Sequence, residues 1–384
     1  MTKRQRSRAT PTPVQEDNVA TGQGAMPLYE LSSQFRHWRY SKDELDKIRQ
    51  QLNEQAVDRI RLNIERERAQ SSVTQTSSEH DNIEYLTVQD ELLLVQYYLT
   101  QISGLCGAFK FPESVQATAI SYLKRFYLSN TCMDYHPKNV MLTCVFLATK
   151  TENCPCSIDS FASKVKTSTS DILELEFLVS QSLRFQYKVH HAHLCASGLL
   201  LDMQTTGASL EQLQQVYAQS KSFIRTSRLT DLEFVYSPSQ ISLACFNLTN
   251  SKLVESWLGF KHTRQTQKKR KHEELHSTTK ANKVSSNKSN DEDDQTDLNE
   301  LDKQRLIDVL VHIGEIILQT KENPIDKTRV TEIDKRLRVA RNPEKDPNSL
   351  LFKNKQAQDQ AQRDAKAKQR AAAQSINNDG SVFD

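Results

Sequence analysis

The stretch PKNVMLTCVFLATK, residues Pro137 to Lys150, decides the fold. After Lys138 and Asn139 its side chains are almost all apolar or small on every face. A helix that is apolar all round is buried all round. This one is too short to cross a bilayer, which takes ~20 apolar residues. It is therefore expected to be the central helix of a helical domain, and it ends on a charge, Lys150.

The same pattern returns 101 residues later, where Tyr135-His136-Pro137 is matched by Tyr236-Ser237-Pro238. At that offset Val140 meets Ile241, Leu142 meets Leu243, Cys144 meets Cys245 and Leu147 meets Leu248. Self-similarity at a fixed period signals a duplicated unit, and a period of this size is a domain. The match breaks at Lys150, which meets Ser251, so any function of Lys150 belongs to the first copy alone.

The 384 residues allow two or three domains, and the 37% hydrophobic and 26% charged shares indicate compact domains joined to long polar segments. A net charge of +3 gives no reason to expect whole-chain binding to a polyanion. Nine glycines and ten prolines suit a mainly helical chain. The seven cysteines are scattered and odd in number, as expected for reduced, buried small residues of an intracellular protein. Neither a signal peptide nor a transmembrane run is expected.

Residues 1–31 read as a disordered extension, basic and then rich in Thr, Pro and Gly. Thr10-Pro11 and Thr12-Pro13 are candidate proline-directed phosphorylation sites. Residues 32–83 hold SSQFRHWRYS, a helix capped by Ser41 with Glu44 as its capping box, and a Ser/Thr/Gln linker. A first five-helix bundle fills 84–190. Val88, Leu92, Val95, Leu99, Ile102 and Cys106 mark helix one, and Pro112 is placed at the first position of helix two. Ser157–Val165 is helix four. Helix five is capped by Ser170 or Asp171, with Ile172, Leu175, Leu178, Val179 and Leu183 inward.

The second bundle, 191–322, repeats the order and is interrupted by a polar insertion, 261–297, expected to be disordered. One more helix is expected in 323–342. The polar tail, 343–384, has too few apolar residues to dock firmly.

Two consecutive five-helix bundles with an all-apolar third helix resemble the cyclin family. The resemblance is carried by Lys124-Arg125-Phe126-Tyr127, by MDYHPKNVMLTCVFLATK, by LTDLEFVYSPSQISLA and by SSQFRHWRYS. It covers Ser32 to Arg338 apart from the insertion. It implies an all-α fold of two tandem five-helix cyclin boxes with flanking N- and C-terminal helices. It also implies a regulatory subunit without catalytic residues, cofactor or metal, which binds a cyclin-dependent kinase and holds its mobile αC helix inward.

In that family a lysine ending helix three and a glutamate in helix five make the kinase grip. The matching positions are Lys150 and Glu176, with Leu147 and Phe185 as apolar contacts. Helix one reads VQDELLLVQYYL, without the arginine that docks substrates in cell-cycle cyclins, which agrees with the transcription-linked members. These imply further partners: a ring-finger assembly factor of the CDK-activating kinase and the TFIIH core, with neither direct nucleic-acid contact nor a membrane. The location implied is nuclear.

Read without the resemblance, Lys150 and Glu176 are more readily a structural salt bridge, or Lys150 an unpaired snorkelling lysine, than a binding site. A TFIIB-like DNA-binding factor shares the duplicated fold, but lacks support here because no paired CxxC motif precedes the first bundle. A metal or enzyme site on Cys154-Pro155-Cys156 with His190, His191 and His193 matches no common ligand spacing. A cyclin C-like subunit of Mediator would share fold and grip, and only RHW and MDYHP speak against it. Lys268, Lys269, Arg270 and Lys271 form either a nuclear import signal or a solvated charge run.

Overall fold

The computed structural model describes residues 28–70, 83–261, 263 and 290–379, and its secondary structure is helical throughout these. The described chain opens with the short α1 (Ser33–His37) and the long α2 (Lys42–Gln70). The first bundle is α3 (Val88–Phe109), α4 (Glu113–Phe126), α5 (Pro137–Thr151), α6 (Ile158–Val165) and α7 (Thr169–Ser182). The second is α8 (Ala192–Met203), α9 (Leu210–Ser227), a single turn α10 (Leu232–Val235), α11 (Pro238–Thr249), α12 (251–261) and α13 (Asn290–Glu322). Two more follow, α14 (Lys327–Val339) and α15 (Leu350–Asp379).

Helix α5 is the hub of its bundle, as its composition requires. Eleven of its fifteen residues are buried, and it packs against α3, α4 and α7. Its start is set locally: Pro137 occupies the first turn, and the His136 ring accepts from Lys138 N at 3.1 Å. Thr143 Oγ1 bridges to the Ile172 carbonyl at 3.1 Å, tying α5 to α7. Helix α11 is the equivalent hub of the second bundle, with seven of twelve residues buried. It opens on the expected capping box, Ser237 with Gln240. Gly314 lies where α13 crosses α11; a Cβ there would stand 2.9 Å from Leu248 Cδ2, so only glycine permits this approach without a shift.

The flanking helices both serve the first bundle. Ala56 and Ile60 of α2, and Val330, Ile333 and Leu337 of α14, join its core. Asp134 is the polar tie: it accepts from Arg59, and from Asn342 Nδ2 at 2.6 Å, while Asn342 also meets Asn63 at 3.0 Å. Helix α3 alone among the described residues is long and apolar enough to cross a membrane. Here its Leu94, Leu99, Ile102 and Cys106 are buried in the bundle core, and Asp90 pairs with Arg336 at 2.7 Å.

The bundles are joined by charge-assisted bonds. Lys124 is buried, donates to the carbonyls of Thr230 (2.6 Å) and Arg228 (3.2 Å), and pairs with Glu233 at 3.1 Å. Arg49 clamps Asp231 through two bonds, at 2.7 and 2.8 Å. In the linker His191 meets Thr118 at 2.8 Å, and Arg228 donates to Glu113 at 2.7 Å. Burial, then the neighbouring His193 and Arg228, push the His191 imidazole well below its ordinary range.

Several expectations are corrected. Ser168, not Ser170 or Asp171, caps α7, accepting from Asp171 N at 3.1 Å. Pro112 is the N-cap of α4 rather than its first helical residue. Leu175 stands half-exposed, outside the core. The insertion is shorter than 261–297: α12 runs through 261, and α13 begins at Asn290 rather than Leu298. The added stretch reads NDEDDQTD, and acidic residues suit the N-terminal end of a helix, where they oppose its dipole. The rest of the insertion, with Lys268–Lys271, lies outside the described residues, as do 1–27, the linker 71–82 and 380–384.

The tail is helical over Leu350–Asp379. Glu67 of α2 caps it, accepting from Leu350 N (2.7 Å), Leu351 N (3.0 Å) and Ser349 Oγ (2.7 Å). A carboxylate at a helix N-terminus satisfies free backbone donors and opposes the helix dipole. No local sequence pattern reports a cap supplied from 283 residues away.

Candidate functional site

Lys150 is the penultimate residue of α5 and Glu176 lies midway along α7, and the packing of these helices brings the two together. Lys150 Nζ donates to Glu176 Oε1 at 2.5 Å. The pair faces solvent, with the lysine side chain 42% and the glutamate side chain 23% exposed. The ammonium also stands 4.4 Å from the Phe146 ring centroid, a cation–π contact that holds it over the end of α5. An ammonium carries three donors and a carboxylate two oxygens, and this bond uses one of each. The pair therefore keeps polar capacity for another chain.

Phe185 follows α7 and is 55% exposed. Arg184 and Phe185 both take left-handed backbone, with φ of 54° and 56°. Bulky residues rarely adopt it, at a cost of order 1–3 kcal/mol each. The turn is held from both sides. Phe185 N donates to Ser180 O and Arg184 N to Gln181 O, both at 2.9 Å, closing the C-terminus of α7.

The SSQFRHWRYS segment supplies the other support. Trp38, 1% exposed, packs against the guanidinium groups of both Arg125 (4.8 Å) and Arg184 (5.2 Å). Its Nε1 donates to Gln186 Oε1 at 2.8 Å. The aromatic residue that the sequence set in polar company is thus a prop beneath the turn that presents Phe185.

Of the four expected contact residues, Lys150 and Glu176 are bonded to each other, and the exposed Phe185 ring lies 6.2 Å from that of Phe177, the residue after Glu176. Leu147 lies one turn before Lys150 on α5, 5% exposed and within the bundle core. Two residues escaped the sequence reading: Leu173, 44% exposed, and Phe177, 69% exposed. Their signal was available, since both sit within one turn of Glu176 and off the face defined by Ile172, Val179 and Leu183.

Elsewhere, His193 pairs with Arg228 at 3.2 Å, His190 packs edge-on against Tyr29, and Cys156 Sγ lies 3.8 Å from Thr149 Oγ1. Among the described residues, no group of three or more His, Cys, Asp or Glu side chains is poised to hold a metal.

Comparison with known proteins agrees with this architecture. The model of the cyclin N-terminal domain matches residues 67–188, and that of the cyclin C-terminal domain matches 191–317. The chain belongs to the cyclin family. Within it, the branch it resembles is cyclin H. Cyclin-H of Xenopus laevis is 33% identical over 244 residues, covering 60% of this chain and 72% of that protein. Cyclin CCL1 of Saccharomyces cerevisiae is 35% identical over 236 residues, and the match spans 60% of each chain. A chain of the yeast TFIIK (Kin28/Ccl1/Tfb3) complex superposes with a TM-score of 0.54 at 27% identity, over 75% of this chain and 100% of that one. A chain of the CAK complex from Chaetomium thermophilum gives 0.65 at 23% identity, over 87% and 94%, and shows the shared fold.

Proposed function

We propose that this chain is a regulatory subunit that binds and activates a cyclin-dependent kinase of the CDK-activating-kinase type. Lys150, Glu176 and Phe185 grip the kinase's αC helix, with Leu147 as apolar support from below. The observation that carries this reading is the solvent-facing Lys150–Glu176 bond beside an exposed aromatic residue held in left-handed backbone. Two relatives support it: a Xenopus protein named Cyclin-H and a yeast cyclin solved in a complex with Kin28 and Tfb3.

The chain contributes binding energy rather than catalytic groups. A kinase is active when αC sits inward and completes its Lys–Glu ion pair. A subunit that binds the inward state more tightly shifts the population toward it, by no more than its differential affinity. The lysine's remaining N–H groups suit backbone carbonyls of the gripped helix, and Glu176 suits its N–H groups. The substrates of the assembled kinase are then activation loops of other kinases and the RNA polymerase II tail. A ring-finger assembly factor and the TFIIH core are the further partners. The site of work is the nucleus, with Lys268–Lys271 as the import signal.

The test mixes the purified chain with a CDK-activating-kinase catalytic subunit, with and without the assembly factor, and measures phosphorylation of a polymerase-tail peptide. Strong activation by the wild type, absent with a folded Lys150→Glu variant, is expected. Activation of a Mediator-type kinase instead would overturn the assignment.

A further inference from the structure

Helix α7 exposes more apolar surface than the grip itself uses. Leu173, Phe177 and Phe185 are 44%, 69% and 55% exposed, and the Phe177 and Phe185 rings lie 6.2 Å apart. Leu173 and Phe177 are one helical turn apart, and Glu176 adjoins them in that turn. They have no place inside, because Ile172, Val179 and Leu183 already fill the core side. Nor does a charged neighbour cover them from the following turn: the Arg184 guanidinium is drawn away to the Trp38 ring at 5.2 Å. The result is a continuous apolar strip that borders the Lys150–Glu176 pair. Such contiguous exposed surface marks an interaction site, and buried aromatic anchors carry most of an interface's energy.

We infer that Leu173 and Phe177 extend the kinase-contact surface, and that Phe177 is its aromatic anchor and a determinant of which kinase is accepted. The inference rests on the reading of Lys150 and Glu176 as the grip. The occupant is the same kinase, through apolar side chains flanking the gripped helix. Two features commit to it. The strip is continuous with the grip on one rigid helix. The paired charges beside it sum to zero, which favours an apolar helix face over a polyanion.

The experiment measures affinity for the recombinant CDK-activating-kinase catalytic subunit, using the full chain and calorimetry or surface plasmon resonance. Because Phe177 is 69% exposed, substitution there leaves the fold intact, which circular dichroism checks. Phe177→Ser is expected to weaken binding at least tenfold, Phe177→Leu less than threefold, and Leu173→Ala by an intermediate factor. Leu201→Ser, on an equally exposed leucine of α8 in the second bundle, is the control and is expected to bind normally. Wild-type affinity in Phe177→Ser alongside lost binding in Lys150→Glu overturns the extension and leaves the grip standing. Wild-type affinity in both variants overturns both. An equal loss in Leu201→Ser overturns it too, since the effect would then be general surface apolarity.

Discussion

The two bundles share a core plan and differ at their ends. Helices α5 and α11 both begin with proline in the first turn and each is the buried hub of its bundle. Their C-terminal ends diverge. The last turn of α5 holds Lys150, bonded to Glu176 of the fifth helix, whereas α11 stops at Thr249 with Asn250 as its cap. The flanking helices sharpen the contrast, since α2 and α14 both add to the core of the first bundle. Duplicated packing kept both halves folded, while the chemistry facing outward was free to differ. The half that is braced most heavily is the half that carries the proposed grip.

The largest effect expected from breaking this asymmetry is in kinase binding. Lys150→Glu places two carboxylates where a bonded pair stood, and affinity should fall at least a hundredfold with an unchanged melting temperature. Its counterpart Ser251→Glu, at the matching position of the second bundle, should bind as wild type in the same titration. Equal losses would mean that the second bundle also grips.

Next in size is the brace itself. Trp38→Ala removes a buried ring that contacts two guanidinium groups. Truncating a buried aromatic residue of this size costs about 3–5 kcal/mol, readable in urea unfolding. Activation of the kinase should drop as well, because the turn that presents Phe185 loses its support.

The joint between the bundles has a pH dependence with a definite sign. Burial, His193 and Arg228 lower the His191 pKa, so the folded state takes up its proton only at lower pH than the unfolded chain does. Stability is full above the ordinary imidazole value near 6.5 and declines as the pH falls below it. The slope contributed by one such group approaches about 1.4 kcal/mol per pH unit. His190 and His193 are also lowered, chiefly by burial, and add in the same direction. Chemical denaturation between pH 7 and 5 should show the decline, and His191→Gln should flatten it.

The smallest effects should be equal in the two halves. Thr87 and Ser237 each form a reciprocal capping box, with Asp90 and Gln240. Replacing either by alanine should cost about 1 kcal/mol in thermal or urea unfolding. A much larger loss at Thr87 would show that Asp90's bond to Arg336 of α14 depends on the cap.

Much of this protein follows from its sequence alone. The buried hub helix, its repeat and the Ser41 and Ser237 capping boxes were legible, because each rests on helical periodicity or on contacts within three or four residues, whereas Lys150 and Glu176, 26 residues apart on two helices, were singled out by the resemblance to cyclins. Tertiary structure alone decided the rest. Helix α7 has apolar residues on more than one side, so only the neighbours that claim Ile172, Val179 and Leu183 leave Leu173 and Phe177 in solvent. Leu147 is apolar beside Lys150 in sequence, yet the packing of α5 buries it beneath the surface. Trp38 meets Arg184, and Glu67 caps α15, across separations that no local pattern records. Periodicity says that a helix has faces, but which face meets water is decided by the chain segments that pack against it.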